Sequence, residues 1–196
     1  MIMASQKKVV RIFPLLGLCL LGGSLGCGSG ETGGGVEMPV GGACGATVKM
    51  VPYEGAQHVP SDMPVTYGSN PPASGMHYPF WGRWGEHVDP LPRGNYVHNL
   101  EHGGVVLLYR CTAPCPDVVA GLRAVMAARP QDPACSPAIR SRVVLTPDPL
   151  LDVPVAASAW NYIYRADCVD APSLSAFIDQ HYDQASESLC NDGSVL

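Results

Sequence analysis

Three histidines, a methionine and a glutamate stand at spacings that could do chemistry. His98 and His102 are four residues apart in His98-Asn99-Leu100-Glu101-His102-Gly103-Gly104. On an extended strand that separation is about 13 Å, too long for two imidazoles to share a metal through bonds near 2 Å. On a helix the same residues are neighbours. The heptad therefore predicts one helical turn, closed by Gly103 in the left-handed conformation and running straight into a strand. Rigid attachment of this kind is what a metal site requires. A third imidazole comes from upstream, where Pro71-Pro72-Ala73-Ser74-Gly75-Met76-His77 confines the backbone with two prolines and allows a sharp turn at Gly75. His77, His98 and His102 are the expected metal ligands, Met76 a soft additional one, and Glu101 the carboxylate that fixes an imidazole tautomer from behind. Imidazoles with a thioether suit copper, and zinc is the other ion that suits imidazole.

The same residues admit two other functions. His98-x-x-Glu101-His102 matches the H-x-x-E-H string of inverted zinc peptidases, in which the glutamate activates water. Those enzymes carry the string in a long helix, whereas Gly103-Gly104 ends this one at once. A metal-dependent hydrolase is the enzyme alternative; Ser74 lacks the strained strand-to-helix elbow of a serine nucleophile. The third class is a structural or interaction module of the cell envelope whose histidines only hydrogen-bond loop to strand. His58 and His87 are expected in solvent, and His181 near the end of a helix, where it complements the dipole. Phe80, Trp81 and Trp84 are expected to pack.

The elements that must position these groups read as an α+β domain. Residues 104–109 (GVVLLY) form a continuous apolar run that suits a strand buried on both faces. Residues 142–145 form a second strand, and 153–164 hold one or two more. Pro116 opens a helix in which Val118, Val119, Leu122, Val125 and Met126 recur at helical spacing until Pro130. A second helix is capped by Asp170 or Ser173 and shows Leu174, Phe177, Ile178 and Tyr182 on one face. The expectation is a small mixed or antiparallel sheet with about two packed helices, plus a long ordered Gly/Pro/Trp-rich loop over 67–94.

Composition bounds the setting. The chain has 196 residues, 46% of them hydrophobic, with 12 Lys plus Arg against 17 Asp plus Glu. That is enough for one buried core, and no basic cluster beyond the first dozen residues offers a footprint for nucleic acid. Lys7, Lys8 and Arg11 precede an apolar stretch over 12–21 that is too short to span a bilayer, which needs about 20 residues. This predicts a signal peptide over 1–26. Ser24-Leu25-Gly26-Cys27 has the form of a lipobox, with Cys27 as the lipidated N-terminus, and 27–45 reads as a flexible glycine-rich tether before a single globular domain over 46–196. The expected location is the bacterial cell envelope, membrane-anchored through lipid and facing the periplasm or exterior, with an envelope protein as partner. With Cys19 and Cys27 set aside, Cys44, Cys111, Cys115, Cys135, Cys168 and Cys190 form an even set that suggests three disulfides in an oxidising compartment. Cys168 and Cys190 bracket the last helix and are the expected pair. A zinc site at Cys111 and Cys115 would need a second close pair, and none is spaced for it.

PPASGMH at 71–77, GNY at 94–96 and HNLEHGGVVLLY at 98–109 together resemble the bacterial family known as domain of unknown function 3105. Tyr67 matches the tyrosine that leads the family pattern, and 143–147 and Ala159-Trp160 match later features. The resemblance covers roughly residues 50–182. Met76 stands where that family usually has proline, and the Trp-rich insert over 80–89 departs from it. What the resemblance implies is a shared exported domain whose signature residues are His, Gly and Pro; it implies no activity.

Overall fold

The computed structural model describes residues 35–195. The expected signal peptide, Cys27 and residues 28–34 of the glycine-rich run lie outside the described residues. Seven strands form one mixed sheet: β1 (Met38–Gly41), β2 (Ala46–Met50), β3 (Gly85–Glu86), β4 (Val105–Tyr109), β5 (Val143–Pro147), β6 (Val155–Ala159) and β7 (Tyr162–Ala166). Their order is β1-β2-β7-β6-β4-β5-β3. β5 runs parallel to both β4 and β3, and the remaining pairs are antiparallel.

β4 lies inside the sheet and shows why its sequence is apolar throughout. Successive side chains of a strand point to opposite faces. Val105 and Leu107 enter one core with Leu122, Val125, Leu174, Phe177 and Ile178, while Val106 and Leu108 enter a second with Tyr96, Val97 and Leu100. Helices α2 (Pro116–Ala127) and α3 (Ala171–His181) thus cover one face, and α1 (Arg93–Glu101) covers the other. Pro116 stands in the first turn of α2, where its missing N–H costs nothing. Asp170 caps α3 by accepting the Ser173 N–H at 3.2 Å.

Three expectations change. The sheet has seven strands rather than a small number, because β1, β2 and β3 are short, exposed or irregular in pattern and carry no apolar run. The helices number three among the described residues, and the single turn expected at His98 is the end of a nine-residue helix. The Cys168–Cys190 bridge is not formed; the disulfides are Cys44–Cys168, Cys111–Cys115 and Cys135–Cys190. Strand register explains the first. β2 and β7 pair antiparallel with Thr47 opposite Arg165, so three residues further out Cys44 meets Cys168, with Cα atoms 5.1 Å apart. β1 also lies within the segment expected as tether.

Candidate metal centre

α1 positions the site. Every residue from Gly94 to Glu101 is buried, so the helix is enclosed on all sides. At its start, Arg93 Nε donates to Asp148 Oδ2 at 2.9 Å and Arg93 Nη2 to Asn70 Oδ1 at 2.7 Å. Tyr96 Oη donates to the same Asp148 oxygen at 3.1 Å. Gly94 is required by contact: a Cβ there would lie 2.5 Å from the Tyr78 ring. That close approach lets the Tyr78 N–H reach the Gly94 carbonyl at 3.0 Å and holds the Tyr78 carbonyl over the helix. At its end, Gly103 adopts φ 81°. The Gly103 N–H then donates to Leu100 O and the Gly104 N–H to Asn99 O, both at 3.0 Å, which closes the helix as a Schellman motif.

The segments around this helix are tied to it by polar side chains on its buried faces. Asn99 clamps the Gly82 peptide, accepting its N–H at 2.9 Å and donating to its carbonyl at 2.8 Å. Asn95 donates to Phe80 O at 2.6 Å. The loop around His77 is pinned to the β6–β7 hairpin by Ser158 Oγ donating to Pro72 O at 2.8 Å and by Asn161 N–H donating to Ala73 O at 2.9 Å. It also runs parallel to an earlier segment: Val59 N–H donates to His77 O at 2.8 Å and His77 N–H to Gln57 O at 3.0 Å. That ladder sets His58 beside His77.

The outcome is a cluster of His58, His77, His98 and Glu101, each with one donor atom within 4.8 Å of the donor atoms of the other three. Backbone carbonyls fix two of the tautomers. His77 Nδ1 donates to Gly75 O at 2.9 Å and His98 Nδ1 to Tyr78 O at 2.6 Å, so in the neutral rings both lone pairs are on Nε2. The His77 Nε2 atom is buried, has no hydrogen-bond partner, and lies 2.9 Å from Glu101 Oε2. The two atoms are close but not in hydrogen-bond geometry, so the His77 lone pair and the carboxylate oxygen sit side by side in a buried site, an arrangement that a cation bound to both would relieve. Burial pushes the His98 imidazole down to about 3, against the Tyr78 carbonyl and together with its histidine neighbours, so the ring is neutral.

His102 stands behind His98. Its Nε2 lies 3.1 Å from His98 Nε2 and 3.3 Å from Glu187 Oε2. With the His98 tautomer fixed, the His102 Nε2–H is the donor to His98. Burial lowers the His102 pKa, opposed by Glu187, and its Nδ1 is buried without a partner. Trp81 flanks both rings, with centroids 5.0 Å from His98 and 4.5 Å from His102. Trp81 and Trp84 both donate their indole N–H to Asn191 O, at 3.2 and 2.8 Å. Met76 turns outward and is 39% exposed, while adjacent His77 is wholly buried, since neighbours in an extended segment face opposite ways.

The structure groups His77 and His98, expected as ligands, with Glu101, expected behind an imidazole; His102, also expected as a ligand, stands one contact behind His98, and His58 and Glu187 are additions that the sequence did not single out for the site. His58 lies in GAQHVP, which has no periodicity; only the tertiary ladder to 75–77 reveals it. Glu187 lies in an irregular tail whose N–H donates to Glu101 O at 3.1 Å. Two further placements differ from expectation. His87 is buried and bonds Arg83 O through Nε2 at 2.8 Å. His181 stacks on Tyr162 with centroids 4.0 Å apart, and burial lowers its pKa, which works against the charged form a dipole partner needs.

A mixed sheet between one enclosed polar helix and two apolar ones, with a buried His/Glu cluster at the enclosed helix, defines an α+β domain built around a potential cation site. The chain belongs to the family described as protein of unknown function (DUF3105), whose model matches residues 58–192. Comparison with curated proteins and with solved structures finds no match.

Proposed function

We propose that this domain is a metal-binding module of the bacterial cell envelope, tethered by lipid at Cys27, that captures or transfers zinc or copper(II). The ligands are Nε2 of His77 and His98, a ring nitrogen of His58, and the Glu101 carboxylate. The carrying observation is the buried His77 Nε2, unpartnered and 2.9 Å from Glu101 Oε2; a cation bound to both atoms turns a repulsive contact into two bonds. The donor chemistry narrows the ion. Imidazole with carboxylate suits zinc or copper(II), and the thioether that would favour copper(I) faces outward at Met76. His102 acts as a supporting group: when the ion takes the His98 lone pair, the His102 N–H turns to Glu187. Glu101 is itself one of the four converging donors. In this proposal it is a ligand and not a free base for hydrolysis.

The test is metal per chain after loading with zinc or with copper(II) and exhaustive dialysis. The parent is expected to retain near-stoichiometric metal. A His77→Ala/His98→Ala variant with unchanged circular dichroism is expected to retain none. Equal metal in the two proteins, or none in either, would overturn the proposal.

A further inference from the structure

The four donors differ in how firmly they are held. The side chains of His77 and Glu101 are 0% and 8% exposed, and His98 is buried with its Nδ1 bonded to the Tyr78 carbonyl. His58 is different. Its side chain is 53% exposed, and the nearest carboxylate oxygen, Glu101 Oε2, is 3.8 Å from its Nε2. Its ring makes no hydrogen bond among the described residues and is held only by packing against the His77 and His98 rings, with centroids 4.7 Å away in each case, whereas the backbone on both sides of it is fixed by the ladder to His77. A fixed backbone carrying an untethered ring is a ligand that can leave and return without any movement of the fold.

We infer that His58 is the exchangeable ligand of the centre, so that the ion enters and leaves on the His58 side and passes to an acceptor that presents an aromatic nitrogen donor. The inference rests on the metal site proposed above. The step is a ligand substitution with no change in oxidation state. A bond forms between the acceptor nitrogen and the ion, the His58–ion bond breaks, and the freed imidazole lone pair returns to solvent. The other ligands release in turn as further acceptor nitrogens bind. An acceptor cannot begin at His77 or His98, because both rings are enclosed and locked by backbone carbonyls. Imidazole-type nitrogen is the donor class that competes for such an ion on equal terms. A site of four buried ligands would store its ion; one exposed, untethered ligand suits transfer.

The experiment follows zinc transfer from the loaded chain to a chromophoric pyridylazo chelator, an aromatic nitrogen donor, by stopped flow. In the parent the rate is expected to rise with chelator concentration. His58→Ala is expected to load near-stoichiometrically and to give up zinc at least about tenfold faster, the scale on which metal sites respond to loss of a supporting group. His77→Ala is expected to fail to load. The inference is overturned if His58→Ala fails to load as completely as His77→Ala, which would make His58 an ordinary ligand, or if it transfers at the parent rate. A parent that binds no zinc or copper overturns the metal site itself and this inference with it. Melting temperature serves as the fold control, and at an exposed ring little change is expected.

Discussion

Two buried polar clusters meet near Gly103, and they are built on opposite principles. Arg142 is buried and held by several hydrogen bonds. Its Nε donates to Asp132 Oδ2 at 2.9 Å, and its Nη1 lies within bonding distance of Asp183 Oδ1 at 2.7 Å, His102 O at 3.0 Å and Ser188 Oγ at 3.2 Å. Tyr182 Oη accepts the Arg142 N–H at 2.7 Å and donates to Asp132 at 2.5 Å. One arginine bridges two carboxylates there, Asp132 and Asp183. Across α1, the histidine cluster offers one carboxylate to rings whose tautomers are fixed, and leaves His77 Nε2 and His102 Nδ1 without hydrogen bonds. A satisfied buried network knits elements together, whereas unpartnered buried ring nitrogens beside a carboxylate call for an explanation, which the proposed ion supplies.

The comparison can be broken most forcefully from the arginine side. Arg142→Ala leaves buried Asp132 unpaired and is expected to cost about 3–5 kcal/mol in urea unfolding; a cost under about 1 kcal/mol would show that the network is not structural. The second expected effect belongs to the other cluster. Zinc at about 100 times its dissociation constant should stabilise the parent by about 2.7 kcal/mol and leave His77→Ala unmoved, read as a shift in the urea midpoint. An equal shift in both proteins would mean that the ion binds elsewhere.

A smaller, pH-dependent loss sharpens the same contrast. Burial alone would raise the Asp132 pKa, but bonds from Tyr182, the Ala134 N–H and Arg142 outweigh it and hold the carboxyl below its ordinary value. The bond from Arg142 does the same for Asp183. A carboxylate with a depressed folded pKa adds stability that is fully present above its unfolded value, about 3.9, and disappears as pH falls through the folded value. The network's own contribution should therefore be level from neutral pH down to about pH 5 and fall below about pH 4; Asp132→Asn should flatten that lower fall and leave the earlier one below about pH 6.5, which comes from the lowered pKa values of buried His98, His102 and His181. An Asp132→Asn profile that parallels the parent's would remove the network from the account. The smallest effect lies away from both clusters: Asp170→Ala removes the α3 cap and should cost about 1 kcal/mol in thermal unfolding without altering metal content.

How much of this was legible in the sequence follows from which physics wrote it. α2 and α3 lie on one face of the sheet with one apolar stripe each, so period and capping signals located both, and Asp170 is the cap found. The β4 run announced a strand buried on both faces. α1 is enclosed on all sides, and its buried Asn95 and Asn99 are satisfied by tertiary partners, so it has no stripe to read; only the His98–His102 spacing and Gly103 betrayed its last turn. β1, β2 and β3 are specified by pairing rather than by composition. The Cys44–Cys168 disulfide followed from register, which a list of cysteines does not contain. At the site, the His98–His102 spacing and the Pro/Gly loop before His77 pointed to His77, His98 and His102, with Glu101 behind them. His58 depends on a ladder between segments nineteen residues apart, counted from His58 to His77, and nothing in its own neighbourhood marks it.

The most direct test of the central claim is X-ray absorption at the metal edge of the zinc-loaded chain, because it reports the ligands themselves. The account predicts a single nitrogen and oxygen shell near 2.0 Å, with the outer scattering of several imidazoles and no sulfur, and loss of one imidazole in His58→Ala. A sulfur shell, or an ion surrounded by water oxygens alone, would contradict it.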